Sequence, residues 1–306
     1  MFRTMLKETS KDNMEQHTAK GSGRWGLERR LAFIDFRLRW EGRINRSDLT
    51  DFFGISVPQA SLDIARYIEL APENLFYDRS LREYRVGTKF QSLSSDSQPK
   101  KYLSELLATS TGVIEPATSF IGWRPSVESV PQPGRVVETE ILAAILKAIE
   151  QRTGLGITYQ SMSSPQPNER TITPHALAYD GFRWHVRAFC HMRQQFRDFV
   201  LGRILSVLSA EPAGKAGSED NEWHTILTLV LAPHPELSDG KRRVIELDYG
   251  MKNGESELQC RQALLFYTLR QLGLTQEAQQ APEAQQIILK NRAELESYLS
   301  SLQSSS

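Results

Sequence analysis

Cysteine is scarce in this chain: only Cys190 and Cys260 occur. They are far apart and form no CxxC or paired Cys/His spacing, which argues against a disulfide framework and a structural zinc site. Both read as reduced core residues. No apolar stretch has the length of a signal segment or a membrane span, and Met1 to Arg24 is polar and mixed in charge, so a cytoplasmic protein without membrane contact is expected. GxxxxGKS, HExxH and GxSxG patterns are missing, as is an acidic cluster. His185, Cys190 and His191 fall at i, i+5 and i+6 on a strand-like run and do not converge on one ion. Neither an enzyme, a metal protein nor a bound cofactor is expected.

An excess of charge is also lacking, with 37 basic and 37 acidic residues. The balance is nevertheless uneven: +2 over residues 24–90, +3 over 135–210 and −5 over 211–306. Phosphate binding needs several cations on one face, so this weak basicity decides nothing and the argument passes to motifs. At 306 residues and 40% hydrophobic content, the chain is long enough for two or three domains.

Leu27, Leu31, Ile34 and Leu38 recur as one helical stripe, widened by Phe33, Phe36 and Trp40 and ended by Glu41-Gly42. A short helix follows, capped by Asn45 or Ser47 and running to Phe53, then a break at Gly54-Ile55. Ser56-Val57-Pro58-Gln59 is a capping box with proline in the first turn of the next helix. There Val57, Ala60, Ile64 and Ile68 fall on one side and Gln59, Asp63 and Arg66 on the other. Two strand-like runs, Asn74 to Tyr77 and Glu83 to Val86, flank a turn at Asp78–Arg82. This is the order of a winged helix-turn-helix, whose second helix enters the major groove while basic wing tips reach phosphate. Candidate DNA contacts are Asn45, Arg46, Ser56, Gln59, Ser61, Arg66, Arg79 and Arg82. Gln pairs with adenine and Arg with guanine or phosphate; Ser56 and Ser61 admit close backbone approach. Asp63, disfavoured near phosphate, is expected to orient Arg66.

Residues 91–133 turn Ser-, Pro- and Thr-rich around a short helix at Tyr102–Ala108. A firm helix, Val136 to Arg152, is closed by Thr153-Gly154, and strands are expected at Gly156–Gln160, Arg170–Tyr179, Trp184–Cys190 and Arg197–Leu205. Asp180-Gly181 is a type I′ hairpin signal, in which both central residues take φ > 0. One helix followed by short strands suggests a small curled barrel. The remainder reads strand (Glu222–Leu231), strand (Arg243–Tyr249), helix (Leu258–Leu272) and helix (Glu283–Leu302).

With these motifs in hand, the chain from about Trp25 to Leu274 resembles the WYL-domain transcriptional regulators, most closely the branch encoded beside bacterial anti-phage defence systems of the BREX and CBASS type. The resemblance rests on Ser56-Val57-Pro58-Gln59-Ala60-Ser61-Leu62-Asp63, Tyr67, Leu70-Ala71-Pro72-Glu73-Asn74-Leu75 and Tyr77-Asp78 in the first part. In the second it rests on Ile157-Thr158-Tyr159-Gln160-Ser161, Pro174-His175-Ala176-Leu177, Arg183 through His191, and Gly202-Arg203-Ile204. The name-giving Trp-Tyr-Leu triplet is Trp184-His185-Val186 here.

The implied fold is multidomain α+β. It comprises a disordered head at 1–23, a winged helix-turn-helix at 24–90 and a linker with a short helix at 91–134. A WYL domain built as a helix plus Sm-like β-barrel follows at 135–210, then a C-terminal α+β extension and dimerisation domain at 211–306. The implied function is that of a homodimeric regulator that binds an inverted-repeat operator and represses a phage-defence operon. A nucleotide or nucleic-acid effector would act at a WYL pocket of Tyr159, Ser161, His175, Trp184, His185, Arg187 and Arg203. Arginine forks and a histidine on one strand face suit such an anion. The competing reading is an RNA or single-strand sensor that uses the barrel, with the winged helix as a protein-interaction module.

Overall fold

The computed structural model describes residues 25–94, 98–275, 281–282 and 284–304; the expected head at 1–23 lies outside them. The chain divides into two compact units, Met1–Pro131 and Gln132–Ser306.

In the first unit, helix α1 (residues 25–41) buries Phe33, Ile34, Phe36 and Leu38. Strand β1 (Arg43–Ile44) leads into α2 (Arg46–Phe53), with Asn45 at the cap position: its N–H donates to Asp48 Oδ2 at 2.6 Å. Gly54 ends α2 at φ 65°, a left-handed conformation that suits glycine. Helix α3 (Val57–Leu70) starts at Ser56, whose Oγ accepts from Gln59 N at 3.3 Å. The hairpin β2 (Leu75–Asp78) and β3 (Glu83–Val86) completes a sheet of order β1-β3-β2. Its turn forms because Asp78 Oδ1 accepts from the N–H groups of Ser80 and Leu81. Helix α4 (Pro99–Ser110) exceeds the short helix expected in the linker, and its Tyr102 ring lies 4.6 Å from that of Trp40. The apolar face of α1 is thus covered on two sides, by α2 and α3 on one and by α4 and Ile121 on the other.

In the second unit, α5 (Thr139–Gln151) lies on a five-stranded antiparallel sheet: β4 (Gly154–Tyr159), β5 (Asn168–Tyr179), β6 (Trp184–Cys190), β7 (Gln195–Val200) and β8 (Ile204–Glu211), ordered β7-β6-β5-β4-β8. Ile141, Ile145 and Ala148 of α5 meet Ile157, Ile172, Val186 and Cys190. Arg152, at φ 55°, caps α5 where Thr153-Gly154 was expected to close it. The ladder is bent by register shifts in β4 and β5, but among the described residues β7 and β8 remain edges, so hydrogen bonds do not close it into a barrel. The single strand expected over Arg197–Leu205 is two, broken by a short 3₁₀ turn at Leu201–Arg203. The β5–β6 turn also departs from type I′: only Gly181 has positive φ. Asp180 instead folds a four-residue loop by accepting from Phe182 N and Arg183 N at 2.9 and 2.8 Å.

The same unit continues with α6 (Asn221–His224), β9 (Ile226–Pro233), α7 (Asp239–Asp248), β10 (Ser256–Arg261), α8 (Leu265–Gln271), β11 (Ile287–Leu289) and α9 (Glu296–Ser304). Strand β9 is central, in the order β10-β9-β11, and alternates so that Leu227, Leu229 and Leu231 enter the core. The strand expected over Glu222–Leu231 starts only at Ile226, the residues before it forming α6. Residues 243–248 of the expected strand 243–249 are helical rather than extended and Tyr249 caps that helix, because both edges of β9 are taken by β10 and β11. The stretch read as a helix from Leu258 begins within β10, and the one read from Glu283, a residue outside those described, contains β11 before α9.

Candidate DNA-binding and effector sites

Helix α3 is held against α1 by a buried charge pair. Arg30 donates from Nε to Asp63 Oδ2 at 2.6 Å and from Nη2 to Oδ1 at 3.2 Å. Asp63 is therefore buried on the inner side of α3, not on the outward polar face, and it does not orient Arg66, which pairs with Glu69 at 2.7 Å. Gln59 follows Asp63 inward: its Nε2 donates to Asp63 Oδ1 at 3.0 Å. A second buried network braces the helix end. Tyr67 donates to Asp35 at 2.6 Å, Asn74 donates to Tyr67 at 2.9 Å, and burial first, then Asp35, pushes the Tyr67 phenol well above its ordinary range.

Of the expected DNA contacts, Arg46, Ser61, Arg66, Arg79 and Arg82 lie on or beside the outer surface of α2, α3 and the wing. Arg46 donates to Ser61 Oγ at 2.9 Å and to Tyr84 OH at 3.3 Å, linking both helices to the wing. Arg79 and Arg82 sit exposed in the wing turn, Arg82 at φ 56°. Ser56 caps α3, its hydroxyl accepting from the Gln59 N–H, while Asn45 stands at the α2 cap position and bonds Asp48 through its own N–H. Leu62 was not among the candidates, yet its side chain is 64% exposed on the outer face.

In the second unit the seven expected effector residues separate. His175, His185 and Arg187 share one face of β5 and β6. Pro174, without an N–H, coincides with the register shift that sets His175 in a bulge. Arg187 is buried and surrounded by carboxylates: Nε reaches Asp220 Oδ2 at 2.7 Å, Nη2 reaches Asp220 Oδ1 at 3.0 Å and Glu222 at 2.6 Å, and Nη1 reaches Asp198 at 3.3 Å. His175 Nε2 is 3.0 Å from the same Asp220. Burial opposes the charge on Asp220, but His175 and Arg187 hold its carboxyl far below the usual range. Asp198 goes the other way: burial dominates and raises it, despite Arg187 and a 3.1 Å hydrogen bond from Tyr267.

His185 belongs to a neighbouring cluster, its Nε2 3.0 Å from Asp180 Oδ2. Arg183 and Arg270 approach the same carboxylate at 3.4 and 3.3 Å. Burial would raise Asp180, but the His185 contact and two backbone N–H groups bring it down to about 2. The other four residues lie elsewhere. Tyr159 is in the α5 core, its OH accepting from Val200 N at 3.2 Å. Ser161 and Arg203 flank the junction where Gln160 N donates to Arg203 O at 3.0 Å. Trp184 is half-exposed with its ring 5.1 Å from Tyr179.

The chain is 48% identical over 288 residues to a DNA-binding transcriptional repressor CapW of Escherichia coli (strain KTE188), spanning 93% of this chain and 95% of the relative. The chain belongs to the CapW family. Further members are the CapW proteins of Pseudomonas aeruginosa, 47% identical over 95% of this chain and 98% of the relative, and of Stenotrophomonas maltophilia, 45% identical over 90% and 93%. Three family models match in series: the BrxR transcriptional regulator winged helix-turn-helix domain over residues 26–108, the WYL domain over 140–208 and the BrxR C-terminal dimerization domain over 226–295. Proteasome accessory factor B/C (PafBC) of Arthrobacter aurescens is similar at 16% identity and a TM-score of 0.23, over 90% of this chain and 47% of that one, and carries no argument about fold.

Within this CapW-family chain, sequence reasoning passed over the carboxylates that face Arg187. Asp198 was within sight, directly opposite Arg187 in the β6–β7 ladder. Asp220 and Glu222 had no local signal, since residues 33 and 35 positions away come to Arg187 only through tertiary packing.

Proposed function

We propose that this protein is a homodimeric, DNA-binding transcriptional repressor that occupies an inverted-repeat operator and holds down a phage-defence operon. The observation that carries the reading is the winged helix of the first unit: α3 leaves its outer face open, with Arg46 and Arg66 beside it and Arg79 and Arg82 on the wing. Such an arrangement suits a helix in the major groove between phosphate-bound flanks. The near full-length similarity to CapW repressors supports it. The residues proposed to touch DNA are Arg46, Ser61, Arg66, Arg79 and Arg82, with Asn45, Ser56 and Gln59 fixing the helices that carry them.

Dimerisation is assigned to the C-terminal region, where α7 and its end expose Val244, Leu247 and Tyr249, Leu247 to 75%. A second copy of this surface is the proposed occupant, in keeping with the dimerization model that spans it.

The effector is proposed to be a nucleotide or nucleic-acid anion acting at the WYL domain. Arg187 is already neutralised by Asp220 and Glu222, so an incoming phosphate competes with these carboxylates for the same guanidinium. Displacing Asp220 would loosen the segment before β9 and thereby alter the spacing of the two winged helices, lowering operator affinity by linkage. Arg203, whose guanidinium lacks an ion pair among the described residues, is the proposed first point of contact.

The test is a titration at fixed salt of labelled duplex from the gene's own upstream region against shuffled duplex. A dimer-sized complex on the first duplex alone, weakened tenfold or more in Arg66→Ala, is expected from the loss of about 1–3 kcal/mol per charged contact. Equal affinity for both duplexes, or preference for RNA, would reject the reading.

A further inference from the structure

The stripe of α3 opposite its buried residues runs through Pro58, Leu62, Ala65 and Glu69, spaced i, i+4, i+7 and i+11 and all exposed. Val57 at the helix start, expected on the inner side with Ala60 and Ile64, is 57% exposed but stands about 100° round the helix from Pro58, off this ridge. An isolated exposed leucine carries no message, but the surroundings of Leu62 do. Arg46, bonded to Ser61 at 2.9 Å, and Arg66 on α3 flank the ridge.

The polar side chains of the same half-helix are engaged within the protein. Gln59 gives its amide to Asp63 at 3.0 Å. Ser61 donates to Val57 O at 3.0 Å and accepts from Arg46 at 2.9 Å. What α3 presents outward at its N-terminal half is therefore apolar, framed by cations. In the major groove, phosphates line the rims and the one apolar group on a base edge is the C5-methyl of thymine.

We infer that Leu62, with Ala65 three residues on, reads thymine C5-methyl groups in the operator. The inference rests on the DNA-binding reading above and names the residues that choose the sequence. Gln59, which the hydrogen-bonding code would assign to adenine, acts instead as a positioning residue for Asp63.

The experiment uses the full chain with its upstream duplex, and with the same duplex carrying deoxyuridine at every thymine of the protected site. That replacement removes the methyl and leaves the hydrogen-bonding edge intact. Wild-type affinity is expected to fall about fourfold per methyl, and about fifteenfold for a pair related by the dimer's two-fold axis. Leu62→Ala loses the part of this preference that Leu62 carries, about fourfold per half-site, while Leu62→Met, which keeps an apolar side chain of similar volume, restores it. Equal wild-type binding to both duplexes, or full discrimination retained in Leu62→Ala, overturns the inference. So does loss of binding in Leu62→Ala accompanied by dissociation of the dimer, which makes the ridge a protein contact. Arg66→Ala weakens both duplexes alike, so a failure of methyl readout stays distinguishable from a failure of DNA binding, which appears as no preference of the wild type over shuffled duplex.

Discussion

Arg187 and Asp220 form a two-pronged ion pair, Nε to Oδ2 at 2.7 Å and Nη2 to Oδ1 at 3.0 Å, with both side chains almost fully buried. The pair joins strand β6 to the segment that leads into β9. One arginine on the sheet thereby anchors the start of the C-terminal domain. Its neutralising partners, Asp198 and Glu222, surround it from β7 and α6. Removing one member of such a cluster strands buried charge, which costs more than the intact cluster contributes.

Arg187→Ala is accordingly expected to destabilise the second unit by about 3–5 kcal/mol. Denaturant unfolding followed by tryptophan fluorescence measures this; a change below about 0.5 kcal/mol, the level of an ordinary surface substitution, would mean that the cluster contributes nothing. Arg203→Ala, half-buried without an ion pair among the described residues, keeps the fold and is the cleaner probe of effector response.

Acid sensitivity follows from Asp180. Its folded-state carboxyl is lowered to about 2, against about 3.9 in an unfolded chain, so the folded state binds fewer protons in that interval. The stabilisation is complete above about pH 4 and is lost as pH falls toward about 2. Thermal melts between these limits should show a falling Tm that flattens in Asp180→Asn; an unchanged slope would dissociate Asp180 from acid unfolding.

Gly217 carries a steric prediction. A Cβ there would stand 2.6 Å from Cβ of His175, so Gly217→Ala pushes the 217–224 segment, and Asp220 with it, off the sheet. The expected outcome is a loss of about 1–3 kcal/mol with greater protease sensitivity before β9. Native-like resistance would show that the segment shifts without cost.

Asp63→Ala leaves Arg30 unpaired beneath α3 and frees the Gln59 amide. Stability of the first unit should drop by about 3 kcal/mol, and operator affinity should fall although Asp63 touches no DNA. Full affinity in a destabilised variant would separate helix placement from recognition.

Leu247→Glu tests the assigned dimer surface. Sedimentation should report a monomer with unchanged secondary structure, because the side chain is exposed in the single chain. An intact dimer would move the interface elsewhere.

The sequence alone was enough for most features that depend on neighbours a few residues apart, although the Asp180-Gly181 turn type and the residue that caps α5 were not among them. The helix over α1, the Gly54 break and the Asp78 turn are local and appear as read, while of the expected capping box only the Ser56 half forms, since the Gln59 side chain goes to Asp63. The facing of His185 and Arg187 on one side of a strand follows from the two-residue period and was equally legible. Tertiary structure decided the rest. Asp63 looked outward by helical spacing and was drawn inward by Arg30, 33 residues earlier. The helix at residues 239–248 and the strands at 256–261 and 287–289 were settled by which segments reach the edges of β9, since a short strand exists only when another supplies its hydrogen bonds. The surroundings of Arg187 come from carboxylates brought together by packing of distant elements, and no periodicity in a chain encodes a contact that only the fold creates.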